Sequence, residues 1–103
     1  MGGSGNGVNP EQLFSAGWAS CFLSALQFGA KKNGLKVPED LKIRVDVHIG
    51  KPDNGKPFGL GADIVAETAN PDTVNIKKLL EVAHDICPYS NATRGNIPVT
   101  LKP

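Results

Sequence analysis

The sequence predicts a single α+β domain in which a long buried helix and a second helix pack on a small antiparallel β-sheet. Three patterns support this fold class. Residues 12–30 contain no charged side chain, residues 41–49 alternate between apolar and polar side chains, and residues 76–87 repeat apolar side chains at helical spacing. A chain of 103 residues is long enough for one hydrophobic core, so residues 1–103 are expected to form one domain.

The first helix is predicted to begin after Asn9 and to end at the residue before Gly34. Asn9 is a good helix cap, Pro10 suits the first helical position, and the Gln12 side chain can bond back to the cap. Gly34 provides a stop signal. The glycine-rich residues 1–8 are expected to be a flexible N-terminal linker.

The first helix carries apolar or small side chains on every face. Its main apolar stripe consists of Phe14, Trp18, Cys21, Ala25 and Phe28. Because no wide charged face remains, the helix is expected to be surrounded by protein. The rest of the chain offers only one other helix and a few strands, so we predict that a second chain completes the core. The alternative is a monomer whose helix is partly exposed.

Composition argues against a membrane span and against nucleic-acid binding. The uncharged run is interrupted by five polar residues, which favours a helix buried in protein over one in lipid. Eleven basic and ten acidic residues give a formal charge of +1, and no basic cluster is present. The N-terminus lacks a secretory signal, which predicts a cytoplasmic protein whose cysteines are thiols or a redox pair rather than a structural disulfide.

The segment that follows the first helix predicts an antiparallel β-hairpin. Residues 41–49 and 60–67 both alternate between apolar and polar side chains, and residues 52–57 have the composition of a loop. Acidic residues of the second strand are available to pair with Lys42 and Arg44. The hairpin should therefore bury one face and expose the other.

The last third of the chain predicts a second helix and a short strand. After a turn at residues 70–72, one helical face carries Ile76, Leu79, Leu80, Ala83, Ile86 and Cys87. Pro88 is expected to end this helix. Residues 97–101 are expected to form a closing strand, in which Pro98 favours a position at the sheet edge.

Two possible ligand sites have weak support. Residues 50–57 approach the spacing of a phosphate-binding loop, but they lack its final Ser or Thr and join two strands rather than a strand and a helix. A zinc site would combine His84 and Cys87 with Cys21 and His48, and only one of these pairs is closely spaced. We therefore predict neither a metal nor a cofactor.

Cys21 and Cys87 lie on the apolar stripes of different predicted helices. Their spacing alone leaves two interpretations open: two inert core thiols, or a redox pair that the fold brings together. Their separation along the chain excludes a Cys-x-x-Cys motif.

Three segments resemble the organic hydroperoxide resistance proteins of the OsmC/Ohr family. They are residues 9–14 (NPEQLF), the pair Cys21–Phe22, and above all residues 84–96 (HDICPYSNATRGN). The resemblance extends from about Gly2 to Leu101, and both cysteines occur in the family's order. It implies an OsmC/Ohr-like fold, an intertwined α/β homodimer with two long helices between sheets.

The resemblance implies an antioxidant oxidoreductase of the oxidative stress response, a thiol-dependent peroxidase that reduces fatty-acid and alkyl hydroperoxides to alcohols. It assigns Cys21 as the peroxidatic cysteine, Cys87 as the resolving cysteine, and Glu11 as a carboxylate that helps to organise the site. A Cys21 sulfenic acid would condense with Cys87 to a redox-active disulfide, which dihydrolipoyl groups on lipoylated proteins reduce. The expected contacts of the apolar substrate tail are Phe14, Trp18, Phe22 and Phe28.

Family members also have an N-terminal β segment, whose arginine bonds to the peroxidatic thiolate and to the carboxylate equivalent to Glu11; this sequence starts after that segment. Cys21 lies in the middle of a helix, where burial raises a thiol pKa unless a cation is near. The sequence contains Arg44 and Arg94, and Arg94 is expected to have a structural role. The alternative function is therefore a non-catalytic or weakly active family member that keeps the dimeric fold.

Overall fold

The computed structural model describes residues 9–52, 55–69 and 73–103. In chain order, its elements are α1 (Pro10–Asn33), β1 (Lys42–Gly50), β2 (Gly59–Glu67), α2 (Thr73–Ile86), α3 (Pro88–Thr93) and β3 (Val99–Lys102). The predicted linker at residues 1–8, the predicted turn at 70–72, and residues 53–54 of the predicted loop lie outside the described residues.

Helix α1 begins and ends where the sequence predicts. The Asn9 side chain accepts a hydrogen bond from the Gln12 backbone N–H at 2.8 Å, and the Gln12 side-chain oxygen accepts one from the Asn9 N–H at 3.2 Å. This reciprocal pair is a capping box. Gly34 follows the helix with a φ of 67°, a left-handed conformation in which glycine has no Cβ to clash.

Strands β1 and β2 form the predicted antiparallel hairpin, with Lys42 opposite Glu67. The predicted charge pairing is present at Arg44, whose guanidinium bonds to Glu67 on the neighbouring strand and to Asp46 on its own strand. These charges lie on the exposed face of the hairpin. The opposite face supplies apolar side chains to the core.

The sheet is mixed rather than wholly antiparallel as predicted. Its strand order is β1-β2-β3, and β3 pairs with β2 in parallel. The reason is the connection: α2 and α3 cross from the end of β2 back to its start, and such a crossover makes neighbouring strands parallel. Pro98 immediately precedes this edge strand and accepts a hydrogen bond from the Ala62 N–H at 3.0 Å through its carbonyl.

The core lies where α1, α2 and the inner face of the hairpin meet. Its largest fully buried apolar side chains are Trp18, Phe22, Leu26, Ile64, Ile76, Leu79 and Leu80. The predicted apolar face of α2 is confirmed, although Ile86 is only partly buried. The fold class predicted from the sequence, helices packed on a small sheet, is therefore confirmed.

The buried face of α1 is rotated from the predicted stripe. Trp18 and Ala25 are buried as expected, but Phe28 is 63% exposed. Its neighbour Gly29 faces α2 instead, and a Cβ at this glycine would lie 2.5 Å from Val82 Cγ1. The two helix backbones therefore approach closely at Gly29, and this approach turns the preceding side chain away from the contact.

Helix α3 departs from the prediction, in which Pro88 only ends the second helix. Pro88 instead occupies the first position of a new six-residue helix, where its fixed φ is favourable. Cys87 is the N-cap of this helix, with φ −59° and ψ 123°, and its backbone N–H still bonds to the Ala83 carbonyl at 2.8 Å. Cys87 thus stands at the corner between α2 and α3.

By length and composition, α1 would be able to cross a membrane. It is nevertheless the central core helix, and six of its residues are buried inside this single chain. Leu13 and Phe28 are at least 60% exposed. The second chain that is expected to cover such surface remains a prediction.

Candidate active site

Two cysteines from distant parts of the sequence meet between α1 and α3. The Sγ atoms of Cys21 and Cys87 are 3.4 Å apart, although 66 positions separate the two residues. Both are free thiols. An S–S bond is about 2.05 Å long, so the two sulfurs are in non-bonded contact and need only a small movement to bond. Of the two interpretations that the spacing left open, the geometry permits the redox pair.

The two thiols differ in their access to solvent. Cys87 is fully buried, whereas Cys21 is half-buried. The Cys21 and Cys87 thiols share a hydrogen bond, and the backbone N–H of Tyr89 donates to the Cys21 sulfur. A solute that approaches the pair therefore reaches Cys21 first, and the Tyr89 N–H is the donor that favours a charge there.

Burial raises the pKa of the Cys21 thiol above its ordinary value, because an apolar environment disfavours the thiolate. The Tyr89 N–H lowers the pKa, but the neighbouring Cys87 raises it further. Among the described residues, no arginine or lysine contributes to this shift. At neutral pH the described site therefore holds Cys21 mainly as the neutral thiol.

Both arginines have partners away from the thiols. The Arg94 guanidinium donates to the His84 carbonyl oxygen at 2.6 Å and to Asn91 Oδ1. These bonds connect the end of α2 to α3, which is the structural role expected for this residue. Arg44 pairs with carboxylates on the sheet, as described above.

An aromatic wall formed by Phe14, Trp18 and Tyr89 stands beside the thiols. The Phe14 ring centroid lies 5.4 Å from that of Trp18 and 6.2 Å from that of Tyr89. The Tyr89 ring lies over Gly17, one turn before Cys21, where a Cβ would be 3.4 Å from its edge. Trp18 is fully buried and Tyr89 is 41% exposed, so the wall extends from the core to the solvent.

A buried hydrogen bond joins α3 to α1. Trp18 Nε1 donates to Ser90 Oγ at 3.2 Å, and both residues have no exposed surface. Buried polar groups need partners, and these two satisfy each other. By contrast, the Thr93 hydroxyl donates to the Tyr89 carbonyl at 2.8 Å and so stays within α3.

Tyr89 and Ser90 were not singled out by the sequence patterns as site residues. Both lie in the Cys-Pro-Tyr-Ser run, directly after Cys87 and Pro88. The available signal was Pro88 itself, since a proline can start a helix as well as end one. A helix that starts there turns the next aromatic ring and hydroxyl toward α1.

The other predicted site residues lie farther from the thiols or within the core. Glu11 precedes Cys21 by ten residues, about 15 Å along the helix axis. It lines a groove of about 520 Å³ between α1 and β1, together with Arg44. Phe22 is fully buried in the core, and Phe28 lies two turns beyond Cys21 and is 63% exposed.

His84 was considered above as a zinc ligand. Its Nδ1 is buried and has no hydrogen-bond partner among the residues that the structure describes. Burial and the nearby Arg94 charge lower the pKa of His84, which favours the neutral imidazole. Within the described ranges, no group of three or more His, Cys, Asp or Glu side chains is placed to hold a metal ion.

Residues 3–102 match the family model described as OsmC-like protein. The chain is 48% identical over 102 residues to an uncharacterized protein of Acinetobacter baylyi, a match that covers 99% of this chain and 70% of that protein. It is 44% identical over 100 residues to the organic hydroperoxide resistance protein of Xanthomonas axonopodis pv. citri, which covers 97% of this chain and 69% of the relative.

A solved structure gives the same comparison in three dimensions. The crystal structure of the organic hydroperoxide resistance protein OhrB of Bacillus subtilis matches with a TM-score of 0.82 and 40% sequence identity. The match covers 94% of this chain and 70% of that chain. The likeness therefore extends over nearly the whole chain.

Proposed function

Because this chain belongs to the OsmC-like protein family, we propose that it is a thiol-dependent peroxidase that reduces organic hydroperoxides to alcohols. The observation that carries the proposal is the 3.4 Å contact between a half-buried and a fully buried thiol. Accessible sulfur is needed for the first step of such a reaction, and a second sulfur within reach is needed for the next.

In the first step, the Cys21 thiolate attacks the terminal oxygen of the hydroperoxide. An S–O bond forms, the O–O bond breaks, and the alkoxide leaves and takes up a proton to become an alcohol. Cys21 is the candidate nucleophile because it is the more accessible of the two thiols. The Tyr89 N–H supports the thiolate by donating to its sulfur.

In the second step, the Cys87 sulfur attacks the Cys21 sulfenic acid. The S–S bond forms, the S–O bond breaks, and water leaves. A dithiol then returns two electrons by thiol–disulfide exchange, which restores both cysteines. We propose dihydrolipoyl groups on lipoylated proteins as this dithiol, on the basis of the resemblance stated above.

The aromatic wall supports a preference for substrates with apolar tails. Phe14 and Tyr89 form its solvent-accessible part; Tyr89 follows Cys87 by two residues, and Phe14 precedes Cys21 by about two turns of α1 and contacts the Tyr89 ring. Apolar surface of this kind favours an alkyl or acyl chain over hydrogen peroxide. Glu11 lies about 15 Å from Cys21 along α1, so we propose that it organises the site through a cation between them, as the resemblance implies.

We also propose a cytoplasmic homodimer. The exposed apolar side chains of α1, Leu13 and Phe28, are the observation that supports a second copy. Light scattering coupled to gel filtration tests this assembly, and a monodisperse monomer would contradict it.

The peroxidase proposal is tested by mixing the fully reduced protein with one equivalent of cumene hydroperoxide. We expect rapid loss of two thiols and a mass decrease of two hydrogens, measured by thiol titration and intact-mass spectrometry. Cys21→Ser should abolish the reaction. Cys87→Ser should still react and gain one oxygen at Cys21. If Cys21→Ser reacted and Cys87→Ser did not, the assigned roles would be reversed.

The raised pKa of Cys21 favours one alternative, a weakly active family member. The fully active and the weakly active forms are distinguished by the pH dependence of Cys21 alkylation with iodoacetamide in the Cys87→Ser variant. Since only the thiolate reacts, we expect the alkylation rate to rise with pH, and the midpoint of this rise should lie above the pKa of free cysteine. Slow peroxide oxidation at neutral pH in the same variant would support the weakly active form.

A further inference from the structure

We propose that the buried hydrogen bond between Trp18 and Ser90 is a positioning contact that holds the two thiols at disulfide-forming distance. The proposal rests on the proposed function, because it specifies how the site for that reaction stays assembled. Neither residue contacts the reacting oxygen in the steps above. Both would act through the placement of α3 on α1.

The position of α3 decides where Cys87 lies, since Cys87 caps this helix. Most hydrogen bonds of α3 remain within it or lead to α2. The Thr93 hydroxyl donates to two carbonyls of α3, and the Asn91 side chain donates to the carbonyls of Asp85 and Cys87. These bonds define the corner between α2 and α3 but do not set the position of α3 on α1.

The Trp18–Ser90 hydrogen bond and the Cys21–Cys87 contact occupy corresponding positions on the two segments that they join. Trp18 precedes Cys21 by three residues on α1, and Ser90 follows Cys87 by three residues. Residues three apart lie on the same side of a helix, about one turn from each other. The two contacts therefore join the same two segments at two points. Together with the Tyr89 ring, which packs over Gly17, these contacts fix the orientation of α3 on α1.

Burial makes this attachment specific. Both Trp18 and Ser90 have no exposed surface, so neither group can exchange its partner for bulk water. Removal of the Ser90 hydroxyl would leave the indole N–H buried and unsatisfied, and relief of that penalty requires movement of α3 or entry of water. Either change increases the freedom of Cys87 relative to Cys21.

The chemical consequence concerns the ease of forming the disulfide. When thiols are already held together, bond formation loses less conformational freedom, and the equilibrium favours the disulfide. With oxidised glutathione as the oxidant, two protein thiols form one S–S bond and release two reduced glutathione molecules. This equilibrium reports the mutual placement of the sulfurs and needs no peroxide.

The test is the disulfide equilibrium of four proteins in glutathione redox buffers: wild type, Ser90→Ala, Trp18→Phe and the double variant. The oxidised fraction is measured by intact mass after acid quenching. We expect each single variant to lower the equilibrium constant about three- to tenfold, the typical effect of one buried hydrogen bond. The double variant should fall little further, because both changes remove the same bond.

Thr93→Val is the matched control, since it removes hydroxyl bonds internal to α3. It should lower the stability of the fold but leave the glutathione equilibrium unchanged. A wild-type equilibrium in Ser90→Ala, or an equal shift in Thr93→Val, would overturn the proposal. If Ser90→Ala does not fold, Trp18→Phe and Ser90→Thr, which keeps the hydroxyl, decide the question. If the peroxidase proposal is wrong, the protein will not react with hydroperoxide, but the differences between variants in the glutathione equilibrium will still be measurable.

Discussion

Helix α1 meets its two helical neighbours in different ways. Near its C-terminal end, it contacts α2 through apolar packing so close that a Cβ at Gly29 would lie 2.5 Å from Val82 and 2.9 Å from Ile86. Near its middle, it contacts α3 through the Trp18–Ser90 bond and the paired thiols, and Cys21 keeps some exposure. One helix thus separates a region that supplies stability from the region where we propose that the reaction takes place.

This difference follows from what each contact requires. Apolar packing gains free energy from tight fit and excludes solvent, which is useful where nothing has to enter. A thiol that reacts with a solute needs an open side and a few partners of defined direction. The boundary between the regions lies between Cys21 and Gly29, roughly two turns apart on the same helix.

The largest expected effect distinguishes two glycines of α1. Gly29→Ala should destabilise the fold by about 1–3 kcal/mol, because its Cβ would overlap Val82 and Ile86. Gly17→Ala should be neutral or stabilising by up to about 1 kcal/mol, since its Cβ would meet Tyr89 at ordinary contact distances and alanine favours helix. Urea unfolding measures both. Equal changes would contradict the proposed separation of the two regions.

The next effect concerns the substrate tail and compares two phenylalanines of α1. Phe14→Ala should raise the KM for cumene hydroperoxide roughly fivefold, equivalent to about 1 kcal/mol of lost apolar contact. Phe28→Ala is the control, since this ring lies outside the aromatic wall and is largely exposed. Steady-state kinetics with a dithiol reductant gives both values. A larger rise in KM for Phe28→Ala would instead support the contact between Phe28 and the substrate tail that the sequence predicts.

The smallest effect on activity is expected from Arg94→Ala. The Arg94 guanidinium bonds to His84 and Asn91, away from the thiols, so the rate of hydroperoxide reduction should change by less than about twofold. A rate loss of tenfold or more would mean that Arg94 supplies the cation for Cys21.

The same variant should raise the pKa of His84, because it removes a positive neighbour that lowers it. In the wild type, the folded-state pKa of His84 lies below its unfolded value, so stability falls as pH drops below the unfolded pKa. Arg94→Ala should weaken that acid dependence. Proton NMR of the imidazole and urea unfolding at two pH values measure the two effects.

Features encoded locally could be predicted from the sequence. Asn9 and Gln12 define the start of α1 because a capping box involves only neighbouring residues. The buried face of the hairpin follows from the alternation along its strands, since a shift by one residue would expose the apolar side chains. The resemblance of residues 84–96 then identified the family, which spacing alone did not.

Features set by tertiary contacts could not be predicted. Pro88 is compatible with both the end of one helix and the start of another, and the packing of α3 on α1 decides between them. The exposure of Phe28 depends on how closely α2 approaches Gly29, which the sequence does not state. The partnership of Trp18 and Ser90 joins positions 72 residues apart and has no local signal.

The long separation of the two thiols has a further consequence for the chain as a polymer. A disulfide between Cys21 and Cys87 would close a loop of 66 residues that contains the hairpin and α2. In the chain-entropy description, closing such a loop removes conformations from the unfolded chain and stabilises the fold by about 4 kcal/mol. In the proposed reaction cycle, molecules oxidised by a hydroperoxide would therefore unfold less readily and resist proteolysis until a dithiol reopens the loop.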